Sequence, residues 1–277
     1  MFLSQINIYP IKSLRGISLK EAEFDRKGLK LDRRWMLVDE RNCFLTQRQY
    51  PKMATIGTKV EDGFLVVFNE DGGLKIPFEP ESKRMQLVKV WASEVLAEVY
   101  EDSINDWFSF VLGIRCKLVK MPDGAVRKVD PEYAISLNDE VSFADGYPFL
   151  LTNEASLADL NSRLDEPIPM NRFRPNLVVS GFEPFAEDAW RRIKIGENIF
   201  HIVKPSSRCI ITTIDQETGE RKNEEPLKTL AKFRSLYGDG RVFFGQNLVA
   251  DCLKGKEGFL RVGDRVEVSD LVISSPN

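Results

Sequence analysis

The stretch Asp62-Gly63-Phe64-Leu65-Val66-Val67-Phe68-Asn69-Glu70-Asp71-Gly72-Gly73-Leu74-Lys75-Ile76-Pro77-Phe78 reads as a β-hairpin. A β-branched and aromatic run at 64–68 stands between two turn signals, and a second apolar run at 74–78 leads back. The same short-strand pattern extends outward from it. In the first half, residues 6–10, 35–39 and 88–100 read as strands. In the second half the candidates are 176–180, 193–195, 199–204, 209–215, 241–244 and 266–268. Many short strands with Gly, Asp and Asn turns predict a mostly β, α+β protein built as a barrel or sandwich.

Three short helices interrupt the strands. Ser103 is expected to cap one with Ile104, Trp107, Phe108 and Val111 on a single face, ended by Gly113. Thr152 or Asn153 is expected to cap a second, with Leu157, Leu160 and Leu164 on its apolar face. Pro226 suits the first position of a third, ahead of Leu227, Leu230, Ala231 and Phe233. The polar segment 121–131 marks a boundary between halves, and no repeat is visible.

With 277 residues, 43% hydrophobic and 29% charged, the chain is long enough to bury a core without staples. A net charge of -3 gives no footprint for non-specific nucleic-acid binding, although cations can still cluster locally. No apolar run reaches the roughly 20 residues that span a bilayer, and the N-terminus reads as a strand, so the cytoplasm is the expected compartment. Cysteines stand singly at 43, 116, 209 and 252, without the paired spacing of a zinc ribbon or an iron–sulfur site. His201 is the one histidine, which excludes a His-rich metal site, and its place inside a strand makes it structural.

Pro205-Ser206-Ser207-Arg208-Cys209-Ile210-Ile211-Thr212-Thr213-Ile214-Asp215 is the sharpest chemical segment. A Pro-Ser-Ser loop is expected to break one strand and Cys209 to open the next. A cysteine at such a junction beside Arg208 suits a thiolate, the soft ligand a soft metal prefers. Spacing alone leaves open the plainer alternative, a small buried hydrophobe.

Six separated segments, in order along nearly the whole chain, carry a resemblance. They are Tyr9-Pro10-Ile11-Lys12-Ser13, Asp32-Arg33-Arg34-Trp35, Leu150-Leu151-Thr152-Asn153-Glu154-Ala155-Ser156-Leu157, Phe173-Arg174-Pro175-Asn176, Ser207-Arg208-Cys209-Ile210 and Phe244-Gly245-Gln246-Asn247. Together they resemble MOSC-domain proteins with the associated N-terminal β-barrel region, namely the bacterial MOSC reductases and the mitochondrial amidoxime reducing component. The resemblance implies a MOSC-type β-barrel domain at 123–277 and a β-rich region at 1–122, of which residues 1–33 also line the cofactor pocket. It implies the molybdenum cofactor, molybdopterin with Mo, whose metal takes Cys209 as protein ligand beside two pterin dithiolene sulfurs. Lys12, Ser13, Arg33, Arg174 and Arg208 match cofactor-contacting positions. Thr152, Asn153, Ser207 and Asn247 are further polar candidates. Arginine clamps phosphate with two parallel bonds, and a helix N-terminus attracts anions, so these residue types suit the phosphate tail. If these cations converge, loss of Arg33 or Arg174 should lower cofactor content and leave apo-protein stability little changed or raised.

The implied function is a molybdenum-dependent oxidoreductase that removes oxygen from N-hydroxylated compounds: amidoximes, hydroxamic acids, hydroxylamines and N-hydroxylated bases. That activity implies a detoxification role. The alternative is a molybdenum cofactor carrier or insertion protein without turnover. Pyridoxal phosphate is not expected. Some relatives carry a C-terminal iron–sulfur domain or an N-terminal membrane anchor, and this sequence shows neither. Electrons are therefore expected from a separate reductase, ferredoxin or flavoprotein. Besides a small-molecule substrate, no nucleic acid or membrane is expected as a partner.

Overall fold

The computed structural model describes residues 1–251 and 257–271; Cys252, which matched no ligand position, lies outside them. Its first part contains β1 (Phe2–Ile8), β2 (Ile17–Leu19), β3 (Glu21–Asp25), β4 (Gly28–Leu29), β5 (Trp35–Val38), β6 (Gly57–Glu61), β7 (Phe64–Asn69), β8 (Gly72–Pro77), β9 (Arg84–Val90), β10 (Ser93–Val99), α1 (Asp102–Leu112) and β11 (Lys117–Lys120). Then follow β12 (Phe149–Asn153), α2 (Glu154–Asn161), β13 (Leu177–Ser180), β14 (Trp190–Ile195), β15 (Asn198–Arg208), α3 (Leu227–Phe233), β16 (Val242–Ala250), β17 (Gly258–Arg261) and β18 (Val266–Leu271).

The expected hairpin is β7–β8, extended by β6 into a three-stranded sheet. A second three-stranded sheet runs β17-β3-β4. An eight-stranded sheet runs β18-β14-β15-β16-β12-β13-β1-β2, so the N-terminal strand is built into the sheet of the second half. One face buries Leu3, Ile6, Phe149, Leu177, Ile193 and Phe200 in a common core. The other packs Val178, Val242 and Phe244 with Leu160 of α2 and Leu230 of α3. Among the described residues this sheet does not close into a barrel by a continuous ladder. Its two ends are linked by the Phe2–Arg265 bridge and by backbone bonds from the Leu3 N–H to the Asp264 carbonyl at 2.9 Å and from the Gly263 N–H to the Leu3 carbonyl at 2.8 Å.

The remaining sheet runs β5-β11-β10-β9. All four residues of β5 are buried, and period-2 alternation divides them between two cores. Trp35 and Leu37 meet the hairpin and α1, whereas Met36 and Val38 meet Val88, Val95 and Phe143.

Several expected boundaries move. Residues 88–100 form two strands, not one, because the chain reverses at Trp91-Ala92 without a Gly, Asn or Asp to announce it. The Pro-Ser-Ser segment does not break a strand. β15 runs through Pro205 to Arg208, and register shifts on either side of Pro205 absorb a residue that cannot donate to a ladder. Cys209 therefore ends a strand, and Ile210–Thr213 is a 3-10 turn. α1 starts at Asp102 with Glu101 at the cap position, although Gly113 ends it in the left-handed conformation as expected. Asn153 caps α2, Thr152 lies in β12, and Pro226 precedes α3 as its cap residue.

Candidate cofactor-binding site

After Ile8 the chain leaves the eight-stranded sheet and crosses to β5. The Lys12 N–H donates to the Trp35 carbonyl at 2.8 Å, and the Tyr9 N–H to Asp32 Oδ1 at 2.8 Å. This crossing carries Lys12, Ser13 and Arg33 to the wall of a cavity of about 400 Å³. Arg174, Ser207, Arg208, Cys209 and Asn247 line the same cavity from the second half of the chain. Eight of the ten expected site residues thus converge although they are far apart in sequence.

Thr152 and Asn153 are not brought there. Thr152 is fully buried with no partner for Oγ1. Asn153 accepts the Ala155 N–H at the start of α2 and donates to the Glu183 carbonyl and to Glu187. Its side chain is committed to the helix end, and neither residue is among those that line the cavity. His201 lies in β15, 3.8 Å from Asp251, and is also not a lining residue.

The cations differ in what holds them. Arg33 pairs with the buried Asp32 at 2.7 Å, and its other donors reach Asn176 and the Arg174 carbonyl. Lys12 is buried, donates to the Phe143 carbonyl at 2.8 Å and pairs with Asp145. Burial lowers the Lys12 ammonium to about 8 despite Asp145, which acts to raise it. Burial pushes the Asp145 carboxyl up, but Lys12, the Trp91 indole and Arg48 outweigh it and hold the group well below the ordinary carboxylate range.

Arg174 and Arg208 have no carboxylate in contact among the described residues. Arg174 donates to Gln216 at 3.1 Å, and its Nη2 is buried without a partner. Arg208 donates to Ser206 Oγ at 2.8 Å and to the Phe173 carbonyl at 2.7 Å, and its Nε is buried without a partner. Burial pushes each guanidinium down to about 10. The Tyr9 ring lies between two guanidiniums, with Arg33 and Arg174 each 4.2 Å from its centroid. Buried cations with unsatisfied donors are costly unless an anion completes them. That donor set fits a phosphate-bearing group.

Backbone strain concentrates at the same place. Of the nine described non-glycine residues with positive φ, Ser13, Arg33, Trp91 and Arg174 line the cavity. Such conformations persist where the surroundings fix them, and they gather at functional sites.

Cys209 is half-buried, and its Sγ accepts from Arg48 Nη2 at 3.3 Å. No group of three or more His, Cys, Asp or Glu side chains suited to a metal occurs among the described residues. A metal at this cavity would therefore take Cys209 as its soft protein ligand, with its other ligands brought in by the cofactor. Sequence reasoning missed Arg48, Trp91, Asp145, Tyr147 and Lys204, which also line the cavity. They sit in separate loops, turns and strands, and only the folded chain brings them together.

Comparison with known proteins identifies the family. The family description "MOSC N-terminal beta barrel domain" matches residues 1–115, and "MOSC domain" matches 138–267. Mitochondrial amidoxime-reducing component 1 of Mus musculus is 34% identical over 282 residues, covering 95% of this chain and 81% of the relative. Mitochondrial amidoxime reducing component 2 of Rattus norvegicus is 34% identical, covering 95% and 82%. Molybdenum cofactor sulfurase of Arabidopsis thaliana is also 34% identical; 96% of this chain matches 35% of that longer protein. No helix among the described residues is long and apolar enough to cross a membrane. The chain belongs to the MOSC family, in the form that joins an N-terminal MOSC region to a MOSC domain.

Proposed function

We propose that this protein is a molybdenum-cofactor-dependent reductase of N-hydroxylated compounds. The observation that carries the reading is one cavity holding a cysteine sulfur beside two half-buried arginines, Arg174 and Arg208, each with one buried nitrogen that has no partner. Relatives named amidoxime-reducing components, alike over nearly the whole chain, supply the reaction class.

In this reading Arg174 and Arg208 hold the cofactor phosphate, with Lys12, Ser13, Arg33, Ser207 and Asn247 as further polar contacts. Cys209 binds the metal, and the Arg48 guanidinium donates to its sulfur and fixes the side chain. When bound, the molybdenum centre supplies two-electron oxygen-acceptor chemistry. The net change breaks the N–O bond: the N–OH compound, two electrons and two protons give the N–H compound and water. Asp145, an ionised acceptor on the cavity wall, orients the N–H and O–H groups of the substrate. Electrons come from a separate donor protein of the flavoprotein or ferredoxin type.

The test is protein made in a cofactor-competent host, with molybdenum and pterin counted per chain and benzamidoxime offered with reduced viologen. Turnover that disappears in Cys209→Ala supports the reading. A relative named molybdenum cofactor sulfurase, of which this chain matches 35%, leaves a second reading, a carrier that holds the cofactor without turning over substrate. Full cofactor content with no reduction of any N-hydroxylated compound would select the carrier.

A further inference from the structure

Trp91 is the first residue of the two-residue turn between β9 and β10, closed by the Val90–Ser93 pair. Its φ is +56°, a position that such turns normally give to Gly, Asn or Asp, and a bulky side chain there is strained. The strain delivers the indole from the four-stranded sheet into the wall of the cavity, most of which comes from elsewhere in the chain. The ring is not used to fill a core, since 44% of the residue stays exposed.

Three contacts fix its orientation. The indole N–H donates to Asp145 Oδ1 at 3.0 Å, the Phe44 ring supports it at 5.1 Å, and the Arg48 guanidinium lies 4.8 Å from its centroid. The same Arg48 reaches Cys209 Sγ. A rigid, half-exposed aromatic surface is thus one side chain away from the candidate metal ligand, with a carboxylate at its edge. A strained backbone and an exposed indole both cost stability, and local packing against Phe44 alone would not require either.

The geometry points to Trp91 as a specificity-determining residue: its ring is the platform on which planar, conjugated N-hydroxylated substrates stack, in preference to small aliphatic ones. This rests on the reductase reading for the nature of the substrate. Stacking of a planar group on an aromatic side chain adds binding in ground and transition states alike, so the effect belongs in KM and leaves kcat nearly unchanged.

The experiment compares benzamidoxime with acetamidoxime on cofactor-loaded wild type, Trp91→Ala and Trp91→Phe. Calorimetric binding of both compounds runs in parallel. We expect Trp91→Ala to lower the benzamidoxime-to-acetamidoxime ratio of kcat/KM about tenfold, through KM. Trp91→Phe keeps the ring, loses the N–H and should stay within about twofold of wild type. An equal loss for both substrates in Trp91→Ala overturns the proposal. So does a Trp91→Phe variant as impaired as Trp91→Ala, because the effect then runs through the bond to Asp145. If Trp91→Ala does not fold, Trp91→Leu takes its place as the apolar, non-aromatic variant. If wild type reduces neither compound, the reductase reading fails, and calorimetry alone decides the platform. Tighter benzamidoxime binding to wild type and Trp91→Phe than to Trp91→Ala upholds it, and equal binding overturns it.

Discussion

Lys12 and Arg33 enter the cavity from the segments that flank the crossing between β1 and β5, and each meets a carboxylate there, Asp145 and Asp32. Arg174 and Arg208 enter from the ends of a 3-10 turn and of β15, and they meet only neutral oxygens, leaving Nη2 and Nε without partners. The two pairs look alike in sequence and differ in physical role. A paired cation helps hold the fold whether or not a ligand is present. A half-buried one with an unpartnered nitrogen is a cost to the apo-protein that an anionic ligand removes. For Arg33, whose partner Asp32 is only 1% exposed, we propose a share in holding the fold beside any contact with the cofactor.

The largest stability effect expected from this difference is at Arg33. Arg33→Ala leaves Asp32 buried without its cation, and breaking a buried pair in this way costs about 3 kcal/mol. Urea denaturation of the apo-protein should show that loss; a midpoint unchanged from wild type would place Arg33 with the unpaired group.

Arg174→Ala and Arg208→Ala should do the opposite. Each removes charge-assisted bonds of roughly 1.5–3 kcal/mol to the cofactor, weakening its binding by about one to two powers of ten. Molybdenum and pterin content under limiting cofactor should fall, while the apo thermal midpoint holds or rises. A drop in apo stability with full cofactor content would erase the contrast between the two pairs.

Lys12 sharpens the comparison through pH. Burial lowers its ammonium to about 8, below the ordinary 10.5. Below pH 8 it is charged in both folded and unfolded states, and the cost of burying the charge is fully present. Between about 8 and 10.5 the unfolded chain binds more protons, so this group's contribution raises apo stability as pH rises. Anion binding needs the charged form, so phosphate affinity should weaken above pH 8. Calorimetric titration of inorganic phosphate at pH 7 and 9 reads this directly, and Lys12→Arg should flatten the difference. An equal slope in wild type and Lys12→Arg would exclude Lys12 from the anion site.

Much of this was legible in the sequence, for physical reasons that differ by residue. The hairpin at β7–β8 announces itself because its turns carry Asp and Gly, which favour the required backbone. The turn at Trp91 was invisible because a strained tryptophan carries no turn signal. Pro205 misled in the other direction, since a strand can pass a proline where its register slips. The converging site residues were legible only through resemblance, because no local spacing links Lys12 to Cys209. Resemblance could not separate paired from unpaired cations, since Asp32 and Asp145 reveal their partners only in three dimensions. Nor could it separate Asn153 the helix cap from Asn153 the ligand contact. Here the smallest effect is expected: Asn153→Ala should cost about 1 kcal/mol through the lost cap of α2 and leave cofactor content unchanged.

The central claim is that the Cys209 sulfur at this cavity binds the metal of the cofactor. Molybdenum-edge X-ray absorption of wild type and Cys209→Ser, both made in a cofactor-competent host, tests it most directly. If Cys209 is the ligand, the variant shows one sulfur neighbour fewer around the metal, with reductase activity lost and the fold retained. An unchanged sulfur shell, or reduction of benzamidoxime at the wild-type rate, would contradict it.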